Sequence, residues 1–111
     1  MKLDTYEKLA MRTAKRMSKQ HDLMHATLGV ANESGELASA VKKNFAYSKE
    51  LDIENVIEEL GDLMWFIALA ANSINTPLSE IAERNIEKLK KRYPEKYEDE
   101  LAALRLDKVE S

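Results

Sequence analysis

The chain has 111 residues, 44% hydrophobic and 33% charged, a size and balance that suit one folded domain and exclude a disordered or membrane-spanning protein. Its formal net charge of −3 argues against broad binding of a nucleic-acid backbone, although a small anion can bind locally where metal ions supply positive charge. The absence of cysteine excludes disulfides and thiolate chemistry and points to a cytoplasmic setting, and three glycines and two prolines leave few places to turn, which favours a few long helices.

Met1 to Tyr6 carry no apolar run of the signal-peptide kind, and no stretch approaches the ~20 apolar residues of a membrane helix. The first helix is expected from Thr5 to Ser18. Asp4 would be its N-cap and Glu7 would complete a capping box. Tyr6, Leu9, Ala10, Ala14 and Met17 recur at helical spacing, and Lys8, Arg12, Lys15, Arg16 and Lys19 form a solvated basic face.

A second helix is expected from about Asp22 to Tyr47. Leu23, Val30, Leu37 and Val41 make one stripe, and Asp22, His25, Gly29, Glu33, Glu36, Ala40 and Lys43 make another. His25 shares the acidic stripe, two turns before Glu33. Ser48 to Asp52 reads as a turn, with Asp52 capping a third helix. In that helix Ile53, Val56, Ile57, Leu60, Met64, Ile67, Ala71 and Ile74 follow the amphipathic template, with Glu59 and Asp62 on its flank. Trp65 and Leu69 extend that flank, where Trp65 suits either the core or the wall of a flat, base-stacking pocket.

Asn75-Thr76-Pro77 ends the third helix and starts a fourth, with Thr76 as N-cap and Pro77 at the first helical position. Leu78, Ile81, Ala82, Ile86 and Leu89 give its apolar side, and Asn85, Lys88 and Arg92 share another face. It should end at Arg92-Tyr93, because Pro94 disfavours helix in the residue before it. Beyond lies either a short fifth helix or a tail draped on a neighbour, with the last residues expected to be mobile.

The stretch Asn32 to Asn72 holds the chemistry. Glu33-Ser34-Gly35-Glu36 and Glu59-Leu60-Gly61-Asp62 each place two acids three residues apart. At helical pitch such residues are neighbours, with Cβ atoms roughly 5–6 Å apart. If the two helices pack together, four carboxylates face one another across a seam. Unscreened, they would raise each other's pKa and oppose folding. Mg²⁺ reverses that penalty, since it takes oxygen ligands and bridges carboxylates to phosphates. The seam is therefore expected to be a Mg²⁺ site suited to hydrolysing a nucleoside triphosphate, with one carboxylate free to take a proton from the attacking water. Lys88 and Arg92 are candidate phosphate donors. Glycine inside a helix costs about 0.5–1 kcal/mol relative to alanine, so Gly35 and Gly61 are expected to mark close approach of the two backbones. Acidic pairs at this spacing are common as solvated faces; two of them on two long helices, each with a matching glycine, are more specific.

These residues resemble the MazG family of all-α nucleoside triphosphate pyrophosphohydrolases. The likeness runs from about Asp22 to Tyr97: Leu28-Gly29-Val30-Ala31-Asn32-Glu33-Ser34-Gly35-Glu36-Leu37 and Glu58-Glu59-Leu60-Gly61-Asp62-Leu63-Met64-Trp65 look like its two core helices, and Asn85, Lys88, Leu89, Arg92 and Pro94 like its closing helix. The resemblance implies an all-α bundle of four to five helices, completed by oligomerisation into a dimer or tetramer. It implies a single domain over 1–111, with its core at 22–94 and a C-terminal tail at 95–111. It implies hydrolysis of an NTP or dNTP between the α and β phosphates, with Mg²⁺ or sometimes Mn²⁺, as nucleotide-pool housecleaning. By the motif match Glu33, Glu36, Glu59 and Asp62 are the metal ligands and catalytic residues. Lys88 and Arg92 then meet phosphates, and His25, Trp65 and Asn85 contact base or sugar.

Two rivals stand beside it. A di-iron carboxylate bundle needs Glu-x-x-His on two helices. Here His21 follows Ser18 and His25 follows Asp22 at that offset, so neither fits, and His21 with His25 lacks a third zinc ligand. A non-enzymatic helical oligomerisation module would use the acids only as a polar seam, and Glu59→Gln would then abolish nothing.

Overall fold

The structure is a computed structural model that describes residues 1–94 and 99–105. It is all-α: α1 (Leu3–Met11), α2 (Lys19–Tyr47), α3 (Ile53–Ser73), α4 (Leu78–Arg92) and α5 (Asp99–Leu104), with no strand among the described residues. The chain divides into two compact units, Met1–Leu78 and Ser79–Ser111.

In the first unit α2 packs along α3, and α1 packs on α3. Sequence signals fix the ends of the two long helices. Ser18 Oγ accepts the His21 N–H at 3.1 Å and starts α2, and Asp52 Oδ1 accepts the Asn55 N–H at 3.1 Å and starts α3 as expected. Ser48 at φ 51° ends α2.

α1 departs from expectation at both ends. It begins at Leu3, so Asp4 lies inside it and not at the N-cap; Lys2 holds that position without a side-chain bond. It stops at Met11 rather than Ser18. The Ala10 carbonyl is taken by the Thr13 N–H at 3.0 Å, the Thr13 hydroxyl at 2.7 Å and the Trp65 indole N–H at 3.2 Å. Such side-chain bonding competes with further helix. The segment that follows is pinned by Arg16, whose Nε donates to Asp22 at 3.0 Å and whose Nη1 donates to Asn72 at 2.6 Å.

Glu7 has a different partner from the one its spacing suggests. Its Oε2 accepts from Asn72 Nδ2 at 3.1 Å, and its Oε1 accepts the Leu78 N–H at 2.9 Å. α4 starts at Leu78, one residue after Pro77, and its first N–H is met by Glu7 and not by Thr76, whose hydroxyl turns back to the Ile74 carbonyl at 3.3 Å.

The core is built of small residues. Ala10, Ala68, Ala71 and Leu78 are buried together, with Tyr6, Met11 and Trp65 against them. On α2 the buried positions are Asp22, Ala26, Gly29 and Ala40, the stripe that carries Glu33, and not the Leu23–Val41 stripe. Leu69 is the one large apolar side chain fully enclosed among the described residues, worth about 1.5–3 kcal/mol relative to exposure. Most of the apolar stripe of α3 faces outward: Ile53, Ile57, Leu60, Met64, Ile67 and Ile74 are 40–56% exposed, while its Ala71 is buried and its Val56 half-buried. The inward side is a neighbouring stripe of helical period, in which Glu59, Leu63, Phe66, Ala70 and Ser73 follow Val56 and are half-buried or buried.

The glycine expectation is corrected. Among the described residues a Cβ at Gly35 or Gly61 would meet nothing within 4 Å, so neither marks a close approach between them. The close approach is at Gly29, where a Cβ would lie 2.2 Å from a ring carbon of Phe66.

In the second unit α4 ends at Arg92, as its sequence requires, and carries an Arg84–Glu80 ion pair at 3.0 Å one turn apart. The segment beyond Pro94 includes a short helix, α5, which settles the choice left open for it; the expectation of a mobile end, at 106–111, lies outside the described residues.

Candidate metal centre

Glu33 on α2 and Glu59 and Asp62 on α3 each bring one carboxylate oxygen within 4.8 Å of the others. Helical period explains the grouping. Glu33 continues the buried Ala26–Gly29 stripe, one turn on, and Glu59 continues the inward stripe of α3. Glu33 and Glu59 are half-buried, and Asp62 is exposed at the rim. Glu36 is exposed and outside the trio, yet its charge acts on Glu59.

The crowding shows in protonation. A hydrogen bond to Glu33, then desolvation, then the charges of Glu33, Glu36 and Asp62 hold the Glu59 carboxyl above the usual glutamate range. The donor set is all carboxylate oxygen, carries surplus negative charge, and opens to solvent at Asp62. A hard divalent cation such as Mg²⁺ fits those properties; a zinc site built on thiolate or imidazole does not.

Other predicted residues fall elsewhere. His25 is exposed on α2, its ring edge-on to Phe66 at 5.6 Å between centroids. Trp65 is half-buried, stands edge-on to Phe66 at 5.0 Å, and donates its indole N–H to Thr13 Oγ1 at 2.8 Å as well as to Ala10. Asn85, Lys88 and Arg92 lie in the second unit on α4, where Asn85 and Lys88 are exposed and the Arg92 guanidinium lies over the Tyr93 ring.

One residue near the cluster was read only as a core position. Tyr6 on α1 has its hydroxyl pKa raised, by burial first and then by the charge of Asp62. No spacing rule links residue 6 to residue 62. A cavity of about 510 Å³ lies against α1 and the turn after α3, with Glu7, Met11, Asn72 and Pro77 among its walls, and does not include the acid trio.

The chain matches the MazG nucleotide pyrophosphohydrolase domain over residues 20–97. The Gene 37 protein of Mycobacterium phage L5 is 35% identical over 74 residues, 63% of this chain. The chain spans 65% of that relative's length. No solved structure matches significantly. No helix among the described residues is long and apolar enough to cross a membrane. A domain match that takes in both acidic helices and most of the chain places this protein in the MazG nucleotide pyrophosphohydrolase family.

Proposed function

We propose that this protein is a Mg²⁺-dependent nucleoside triphosphate pyrophosphohydrolase that converts (d)NTP to (d)NMP and pyrophosphate in cytoplasmic nucleotide-pool housecleaning, and that residues 1–111 act as one functional domain. The observation that carries the reading is the Glu33–Glu59–Asp62 trio in a chain of this family. Glu33, Glu59 and Asp62, joined by Glu36, would hold the metal. Bound there, Mg²⁺ (or Mn²⁺) supplies the positive charge that lets a polyphosphate approach an acidic surface and activates water as a nucleophile.

The chain's own groups do the rest. A carboxylate of the cluster not engaged with metal takes the proton of the attacking water. The water oxygen bonds to the α phosphorus, the bridging α–β bond breaks, and pyrophosphate leaves. Lys88 and Arg92 bind phosphate oxygens, Arg92 with a forked guanidinium. Asn85, His25 and Trp65 contact sugar or base. A second copy of the chain covers the outward apolar stripe of α3, giving a dimer or tetramer.

The test is pyrophosphate release over a panel of common and modified dNTPs, with Mg²⁺, with Mn²⁺ and with EDTA. Metal-dependent release of pyrophosphate, abolished in Glu59→Gln with the oligomer intact, is expected. Release of orthophosphate instead, or full activity in Glu59→Gln, overturns the reading.

A further inference from the structure

We propose that Gly29 and Phe66 are positioning residues that set the separation of α2 and α3 at the acidic cluster. The inference rests on the metal-site reading above and adds to it the part of the chain that holds the ligands at working distance.

The register places the pair beside the cluster. Gly29 is four residues before Glu33, and Phe66 is four residues after Asp62. Pairing 29 with 66 and 33 with 62 is the register of two antiparallel helices. At 1.5 Å per residue, the contact lies about 6 Å along the axes from the carboxylates.

The contact is tight and has no slack. A Cβ at Gly29 would fall 2.2, 2.3 and 2.5 Å from Phe66 Cδ1, Cε1 and Cγ. Carbon atoms rest about 3.5–4.0 Å apart. A methyl group there needs displacement on the order of 1 Å. The ring cannot simply swing away, because Cγ itself is struck and the ring has edge contacts with His25 and Trp65. The helices must part instead. Mg²⁺ demands near-ideal geometry at about 2.0–2.1 Å, so a 1 Å change in ligand spacing is half a bond length. The other two glycines of the acidic helices have nothing within 4 Å and cannot do this.

The test is Mn²⁺ binding without nucleotide, read from the electron paramagnetic resonance of free Mn²⁺, with circular dichroism and urea midpoints measured on the same samples. Gly29→Ala is expected to fold and to bind Mn²⁺ about tenfold more weakly or worse, the size of loss seen when groups that orient metal ligands are changed. Leu69→Ala, which removes buried volume but neither partner of the Gly29–Phe66 contact, is expected to lower the urea midpoint and keep the parent's affinity. If Gly29→Ala does not fold, Phe66→Ala decides: loss of the ring should likewise weaken binding about tenfold. The proposal is overturned if the folded variant binds like the parent, or if Leu69→Ala loses as much affinity. Should the parent itself not bind Mn²⁺, the metal-site reading fails first, which separates the two failures.

Discussion

Glu7 on α1 accepts the backbone N–H of Leu78 at 2.9 Å, across 71 positions of chain, so a carboxylate from the first helix caps the first turn of the fourth. Its other oxygen holds Asn72, whose own carbonyl oxygen holds Arg16. Glu7→Ala would leave the buried Leu78 N–H and the Asn72 amide unmet. Hydrogen bonds to a charged group contribute about 1.5–3 kcal/mol each, so a loss of about 3 kcal/mol is expected in urea unfolding. Glu7→Gln keeps one acceptor and should lose about half as much. Equal stability of Glu7→Ala and the parent would show that the cap contributes nothing.

Asp22 makes stability depend on acid. It is buried, and the Arg16 hydrogen bond above all, with the Met17 N–H at 3.1 Å, holds its pKa below the ordinary aspartate range against the opposing effect of burial. A depressed carboxyl stabilises the fold above its unfolded pKa and loses that contribution as pH falls through the folded value. Stability should therefore drop on acidification below the ordinary aspartate range. Asp22→Asn should be less stable at neutral pH, with a shallower fall in the acid window. Urea midpoints over a pH series check both.

Glu59 works in the opposite sense. Its folded pKa lies above the unfolded one, through the Glu33 hydrogen bond first, then desolvation and neighbouring charge. The fold then loses stability as pH rises from the ordinary glutamate range through the raised value. A divalent cation should reverse the loss, so a Mg²⁺-induced rise in melting temperature is expected to be large at neutral pH and to shrink as Glu59 protonates. Glu59→Gln should melt higher than the metal-free parent at neutral pH and respond little to Mg²⁺. A Mg²⁺ response of equal size in mutant and parent would remove Glu59 from the site.

What could be read in the sequence was local. Asp52 caps α3 because capping needs only a side chain and an N–H three residues on, and Glu33, Glu59 and Asp62 meet because helical period puts Glu33 and Glu59 on the facing sides of α2 and α3, with Asp62 beside them at the rim. What could not be read was long-range. The bonds of Glu7 to Asn72 and Leu78, of Arg16 to Asn72, and of Trp65 to Thr13 and Ala10 span 52 to 71 residues, and no spacing rule reaches so far. The apolar stripe of α3 was legible as a stripe but not as an outward one, since period does not say which surface meets it. The glycine in contact was likewise hidden: Gly35 and Gly61 stand in matching motifs, yet it is Gly29 that faces a ring.

Trp65 has two expected roles that substitution separates. Its N–H ties α3 to the end of α1 through Thr13 and Ala10, and its ring packs on the core. Trp65→Phe keeps a flat ring and loses the N–H, so it should cost about 1 kcal/mol of stability with KM near the parent's. Trp65→Ala removes the ring too and should raise KM as well. An unchanged KM in a folded Trp65→Ala would confine the residue to the core.

Ile53, Ile57, Leu60, Met64 and Ile67 of α3, with Ile74 at its C-cap, span 22 residues, about 32 Å at helical rise, and all are substantially exposed in the single chain. Apolar side chains left in water along one helix are the surface we propose a second copy of the chain covers. Covering one such side chain contributes about 1.5–3 kcal/mol, so a charge within the band should weaken self-association more than tenfold. Sedimentation is expected to find the parent as a dimer or tetramer and Ile57→Lys as a monomer of unchanged helicity. Glu54→Lys, on the same helix but outside the apolar stripe, should leave the oligomer intact. A parent that sediments as a monomer at micromolar concentration would rule out a second copy as the cover of this face.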